Sequence, residues 1–254
     1  MNIGFSNIYA YRPHMEHLIY LAKQVKLEGH QTFFLTCDAN LSACYVRELK
    51  GTSRIVECSK CILGGVRSYP VKNVTSLKSV KETIDLSEEA IRQLALSSAC
   101  TLNRTESEEE YNDNEVLRVI EKLSSPIKQT VNAAIKWIED NDLEGVIVFN
   151  GRMDMTKAIT YACEIKGIPY LTHERTWFGN GLRINPGSDC LSIKHIDKLV
   201  KEYDSKPLTS AQATLAAKLV AMRFLQQNEL EWRLYNKKPE PTKWPVQTSL
   251  IRVL

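Results

Sequence analysis

No run in this sequence approaches the roughly 20 apolar residues that a helix needs to cross a bilayer. The opening "MNIGFSNIYAYRPHMEH" also lacks the basic segment followed by an apolar stretch that marks a secretory leader. The expectation is a cytoplasmic chain without a transmembrane segment. Charge of either sign is not in excess: the formal net charge is +3, which implies no general affinity for nucleic acid. Glycine is sparse, and no G-x-G-x-x-G follows the first apolar segment, so a dinucleotide cofactor is not expected. The seven cysteines follow no small secreted-domain pattern, which favours thiols or a metal site over a disulfide framework.

What is present is a recurring strand, helix, strand order. "NIGFS" leads into a polar loop, "MEHLIYLAKQVKLEGH" places Met15, Leu18, Ala22 and Val25 on one helical face with Gly29 as the stop, and "QTFFLTCD" is a second strand. "SSPIKQTVNAAIKWIEDNDLEG" reads as a helix starting at Ser-Ser-Pro, with Ile127, Val131, Ala134, Ile135 and Ile138 as its buried stripe. The all-apolar run "VIVF" follows, as expected for a parallel strand buried on both faces. "MTKAITYACEIKG" is then a crossover helix with Ala158, Ile159, Ala162 and Ile165 inward, and "IPYLTHE" is the next strand. The expected fold is a three-layer Rossmann-like α/β domain with a mostly parallel sheet. Its strands are placed at Ile3–Phe5, Thr32–Leu35, Val146–Phe149 and Tyr170–Leu171, with a further one near Pro70. "RTWFGNGLRINPGSDC" is read as a long loop.

Two neighbouring strands in this scheme end in chargeable groups, "NGR" and "HER". The carboxyl edge of an open parallel sheet is where loops and helix N-termini converge on ligands. Asn150-Gly151 permits a sharp turn, Arg152 offers a fork of donors, and His173, Glu174 and Arg175 end the next strand. The alternative is that Arg152 and Glu174 pair with each other and only pin two loops. Trp177 and Phe178, beside Gly179 and Gly181, are placed either to stack on a sugar ring or to plug the sheet edge. Cys37, Cys44, Cys58 and Cys61, the last two in "CSKC", suit a structural zinc and equally suit free, partly buried thiols.

The stretches "FNGR" and "GIPYLTHERTWFGNG", with the opening "NIGFSNIYAYRPHMEHLIYLAKQVKLEGHQTFFLTCD", resemble the N-terminal, acceptor-side half of bacterial glycosyltransferases of the two-Rossmann-domain (GT-B) type, particularly those of capsular and other surface polysaccharide synthesis. The resemblance implies transfer of a sugar from a nucleotide-sugar donor to a growing glycan acceptor, in the cytoplasm or at the inner membrane's periphery. It implies an acceptor-side domain over residues 1–235, and a linker and the first strand of a nucleotide-sugar domain over 236–254, where "SLIRVL" lies. Inverting transfer needs a base for the acceptor hydroxyl, for which His14, Asp154 and Glu174 are candidates; retaining transfer would not. Asn150, Gly151, Arg152, His173, Arg175 and Trp177 are the expected substrate-binding residues, with Arg152 and Glu174 facing a common space and His14 opposite. His17 is expected to be a surface or packing residue. A non-catalytic α/β binding or regulatory module is the alternative function.

Overall fold

The computed structural model describes residues 1–78, 80, 84–105, 107–176 and 181–224. Met1–Arg175 together with Leu182–Tyr203 form one compact unit, and the described residues from Asp204 onward fall outside it. The boundary expected at 235, the expected linker and "SLIRVL" all lie outside the described residues.

The first unit is α/β, built on a six-stranded sheet. Its strands are β1 (Asn2–Asn7), β2 (Gln31–Thr36), β3 (Val74–Ser76), β4 (Gly145–Phe149), β5 (Tyr170–Arg175) and β6 (Leu182–Pro186), in the order β3-β2-β1-β4-β5-β6. Every neighbouring pair is parallel except β5 with β6. Two strand expectations fail. The third strand begins after Pro70, at Val74, because proline cannot supply the ladder donor. The stretch read as a loop contains β6, paired antiparallel with β5 from Leu171–Pro186 to Arg175–Leu182.

Alternation along each strand separates two faces. Phe5, Phe34 and Ile147 face helix α1 (His14–Leu27), which buries Met15, Leu18, Ile19 and Ala22 against them. Leu35, Val146 and Val148 pack on the other side with α4 (Glu88–Asn103), α5 (Asn114–Asp140) and α6 (Asp154–Lys166). The approach there is close: a Cβ on Gly4 would lie 2.5 Å from the Trp137 ring of α5. The shorter helices α2 (Tyr45–Lys50) and α3 (Arg54–Gly64) follow β2, and α7 (Ile193–Tyr203) follows β6. Helix α8 (Ser210–Phe224) lies outside the first unit.

Helix α5 departs from its expected start. It begins at Asn114 and runs through Pro126 rather than starting at Ser-Ser-Pro. An interior proline costs about 3 kcal/mol. The buried stripe is continuous across it, with Val116, Ile120 and Leu123 before Pro126 and Ile127 and Val131 after, and burial of each such side chain offers about 1.5–3 kcal/mol. Packing therefore outweighs the break. In α6, Ile165, expected inward, is exposed, while Cys163 takes the buried position; Gly167 ends the helix in the left-handed region at φ 65°. Among the described residues no helix is long and apolar enough to cross a membrane.

Candidate functional site

The strand order reverses between β1 and β4, so the chain leaves these two strands in opposite directions, the topology at whose carboxyl ends open α/β sheets form a ligand crevice. The loop after β1 delivers the first residue of α1, His14, to this edge. Its ring stacks on Phe149, the last residue of β4, with centroids 4.3 Å apart. Across the edge, His14 Nδ1 comes within 3.2 Å of Glu174 Oε1 near the end of β5. Both side chains remain slightly open to solvent, at 11% and 13%.

Glu174 is held from several directions. Asn150 Nδ2 donates to Oε2 at 3.0 Å, and the Arg175 backbone N–H donates to Oε1 at 3.0 Å. Asn150 manages this from a left-handed conformation, φ 63°, which also lets its Oδ1 accept from the Arg152 backbone N–H at 3.0 Å. The next residue, Gly151, is left-handed too at φ 77°, and a Cβ there would lie 2.6 Å from Thr172 Cγ2. No substitution would fit that turn without strain.

Histidines crowd this edge. His17 lies one helical turn from His14, with ring centroids 5.9 Å apart, and His173 lies 5.8 Å from Phe149. The approach of His14 Nδ1 to Glu174 is close without hydrogen-bond alignment, and the nitrogen is buried. Burial lowers the His14 pKa to about 4, with His17 and Arg175 adding repulsion. His173 is 1% exposed, and burial, with His14 and His17 nearby, lowers its pKa to about 3. Neither of its ring nitrogens has a hydrogen-bond partner among the described residues. The imidazoles of His14 and His173 are therefore neutral at pH 7, and His17 is shifted the same way by burial and Arg175.

Some expected site residues go elsewhere. Arg152 turns away from Glu174 and donates from Nη1 to Ser97 Oγ at 2.9 Å and Thr101 Oγ1 at 3.4 Å on α4. The expected common space of Arg152 and Glu174 is thus replaced by one of His14, Asn150 and Glu174. Asp154 is completely buried. It accepts from the Tyr9 hydroxyl, from the Tyr45 N–H at 2.9 Å and from the Met155 N–H at 2.8 Å. With its oxygens so enclosed it ties the β1 loop and α2 to α6. Trp177 lies outside the described residues. Sequence reasoning missed His17 and Phe149; the spacing of His14 and His17, three apart at a helix start, was the available signal.

The four cysteines considered for zinc do line one small cavity beyond the end of β2, with Arg47 and Glu57. Among the described residues, however, no group of three or more His, Cys, Asp or Glu is gathered as a metal shell. Burial pushes the Cys37 and Cys61 thiols up and takes Cys44 to about 12, and Arg47 Nη1 lies 3.8 Å from Cys58 Sγ. No protein-family profile matches the chain, and no curated protein matches it.

Proposed function

We propose that the chain activates an acceptor hydroxyl for sugar transfer, as the acceptor-side half of a GT-B-type glycosyltransferase acting on a surface glycan. The observation that carries this reading is the His14–Glu174 pair at the carboxyl edge of the sheet, beside the reversal of strand order between β1 and β4. The resemblance in "FNGR" and "GIPYLTHERTWFGNG" supplies the substrate class.

The roles differ from those a carboxylate base would have. Oε1 of Glu174 accepts from the Arg175 N–H and Oε2 from Asn150, so the carboxylate is a fixed anchor facing Nδ1 of His14. Nδ1 is the buried ring nitrogen, which leaves Nε2 to meet an incoming hydroxyl. Being neutral at pH 7, His14 is in the state that accepts a proton. As the acceptor oxygen bonds to the anomeric carbon and the bond from that carbon to the departing nucleotide diphosphate breaks, the hydroxyl proton passes to Nε2. Glu174 then steadies the imidazolium, an interaction stronger in the transition state than before it. The donor is assigned to a nucleotide-sugar domain following this one, and the reaction to the cytoplasm.

Transfer from a panel of nucleotide sugars by the full-length protein, with His14→Gln and Glu174→Gln beside it, tests the reading. General-base catalysis contributes about 10²–10⁴-fold, so His14→Gln should lose that much kcat while circular dichroism stays unchanged. A folded His14→Gln protein with near-normal turnover would exclude the base. Tight acceptor binding without any transfer would favour a binding module instead.

A further inference from the structure

A second feature lies away from the His14–Glu174 pair, where Arg152 points. Between α4 and α6 an open groove of about 590 Å³ is lined by three cations, Arg104, Arg152 and Lys157, and by the hydroxyl residues Ser97, Thr101 and Thr105. No Asp or Glu is among its described lining residues, and none of the three cations is in an ion pair with a described residue.

Each cation is held ready without being neutralised. Arg152 is fixed by two neutral hydroxyls through Nη1. Its Nε is buried without an acceptor among the described residues. Lys157 Nζ donates to the Gln93 carbonyl at 2.8 Å. Burial lowers the Lys157 pKa, although Asp189 and Glu164 act from nearby in the opposite direction. Arg104 is the exposed left-handed cap of α4, φ 55°. Arg92 and Glu110 act on Cys100 at the groove's wall with opposite sign, Arg92 the more strongly.

Three like charges around one space repel one another, and an uncompensated cation is costly in proportion to its burial. A single carboxylate would offset one of them. A phosphoryl group carries up to two negative charges and three acceptor oxygens, which matches the fork of an arginine with a second cation beside it. Leu96 and Tyr111 also line the groove and offer surface to a carbon skeleton. We propose that this α4–α6 groove binds the phosphoryl group of a small phosphomonoester, held by Arg152, Lys157 and Arg104. The site does not depend on the transfer reading, since it shares no side chain with the His14–Glu174 pair.

Isothermal titration calorimetry of the full chain with phenyl phosphate, inorganic phosphate and phenol, at constant ionic strength near that of the cell, tests this. Phenyl phosphate should bind saturably and more tightly than inorganic phosphate, and phenol should not bind. Affinity should fall at least tenfold in Arg152→Gln and in the double variant Arg104→Gln/Lys157→Gln, and should be unchanged in His14→Gln. The double variant leaves the Arg152 bonds to Ser97 and Thr101 in place and so remains informative if Arg152→Gln does not fold. Absence of saturable phosphate binding, or unchanged affinity in the folded double variant, would overturn the site. Binding of inorganic phosphate as tight as phenyl phosphate would overturn the monoester.

Discussion

The two faces of the sheet are covered unequally. On one side α4, α5 and α6 bury a broad apolar layer, including Leu123, Ile127, Val131, Trp137 and Ile159, each at or below 1% exposure. On the other, α1 covers β1 and β4 with Val66 beside it, and the apolar cluster is small. At the carboxyl end of that thin side the layer gives way to imidazoles: His14 and His17 from α1, and His173 from β5. The difference separates two uses of burial. The thick side buries mainly apolar area, which stabilises, and its one carboxylate named above, Asp154, is met by donors; the thin side buries imidazole nitrogens without partners among the described residues, which costs free energy.

The largest expected effect comes from the thick side. Trp137 is 1% exposed and fills the space against Gly4 and Leu143. Trp137→Ala should cost about 3–5 kcal/mol of unfolding free energy, as large-to-small changes of aromatic core residues do. Urea unfolding followed by circular dichroism reads this. A loss under 1 kcal/mol would mean that the α5 side is no more tightly built than the α1 side, and the contrast would break.

The thin side should instead reveal itself through pH. His14 and His173 have folded pKa values lowered to about 4 and about 3, against 6.5 when unfolded. Between those limits the unfolded chain binds protons that the folded one refuses, so stability should fall as pH drops below about 6.5, by up to about 1.4 kcal/mol per pH unit per histidine. Below about pH 3 the folded form takes up protons as well and this contribution levels off. Denaturant midpoints from pH 8 to 4, compared with the double variant His14→Gln/His173→Leu, isolate the effect. The variant's curve should be flatter; parallel curves would mean that these imidazoles titrate normally.

How much of this contrast the sequence disclosed depends on where the deciding contacts lie. β1, β2, β4 and β5 were legible because each is an apolar run that stops at polar residues, a pattern local to the strand. β3 has three residues, too few for a pattern, and β6 is recognisable only through its pairing with β5. Pro126 misled because propensity is local whereas the Leu123–Ile127 stripe is satisfied by distant partners. Within the site, His14, Asn150 and Glu174 were legible as ends of elements meeting at one edge. The direction of Arg152 was not: two successive left-handed residues, Asn150 and Gly151, swing it onto α4. Nor was the enclosure of Asp154, which depends on Tyr9 and Tyr45, more than 100 residues away in sequence.

His173 gives a sharper probe of what the thin side is for. Both of its ring nitrogens are buried without partners among the described residues, and an unsatisfied buried polar group costs about 1–3 kcal/mol. His173→Leu should therefore raise stability by about 1 kcal/mol at pH 7 while lowering affinity for the acceptor. A loss of stability on this change would show that the imidazole is hydrogen-bonded in solution and is a structural residue.

The smallest expected effect concerns Asn150, which joins the turn after β4 to Glu174. Replacing it with Ala would combine two effects, since φ 63° disfavours a Cβ and the side chain's hydrogen bonds to Glu174 and Arg152 are lost together. Asn150→Gly separates them, because glycine adopts the left-handed region without strain. The glycine variant should lose about 0.5–1.5 kcal/mol, the net worth of a typical hydrogen bond, partly through added freedom of the unfolded chain. Asn150→Ala should lose more by the strain of the turn. If Asn150 serves only the turn, Asn150→Gly would match the native protein in both stability and turnover. If it positions Glu174, kcat should fall with KM for the acceptor little changed, because the His14 ring would then face a carboxylate free to move.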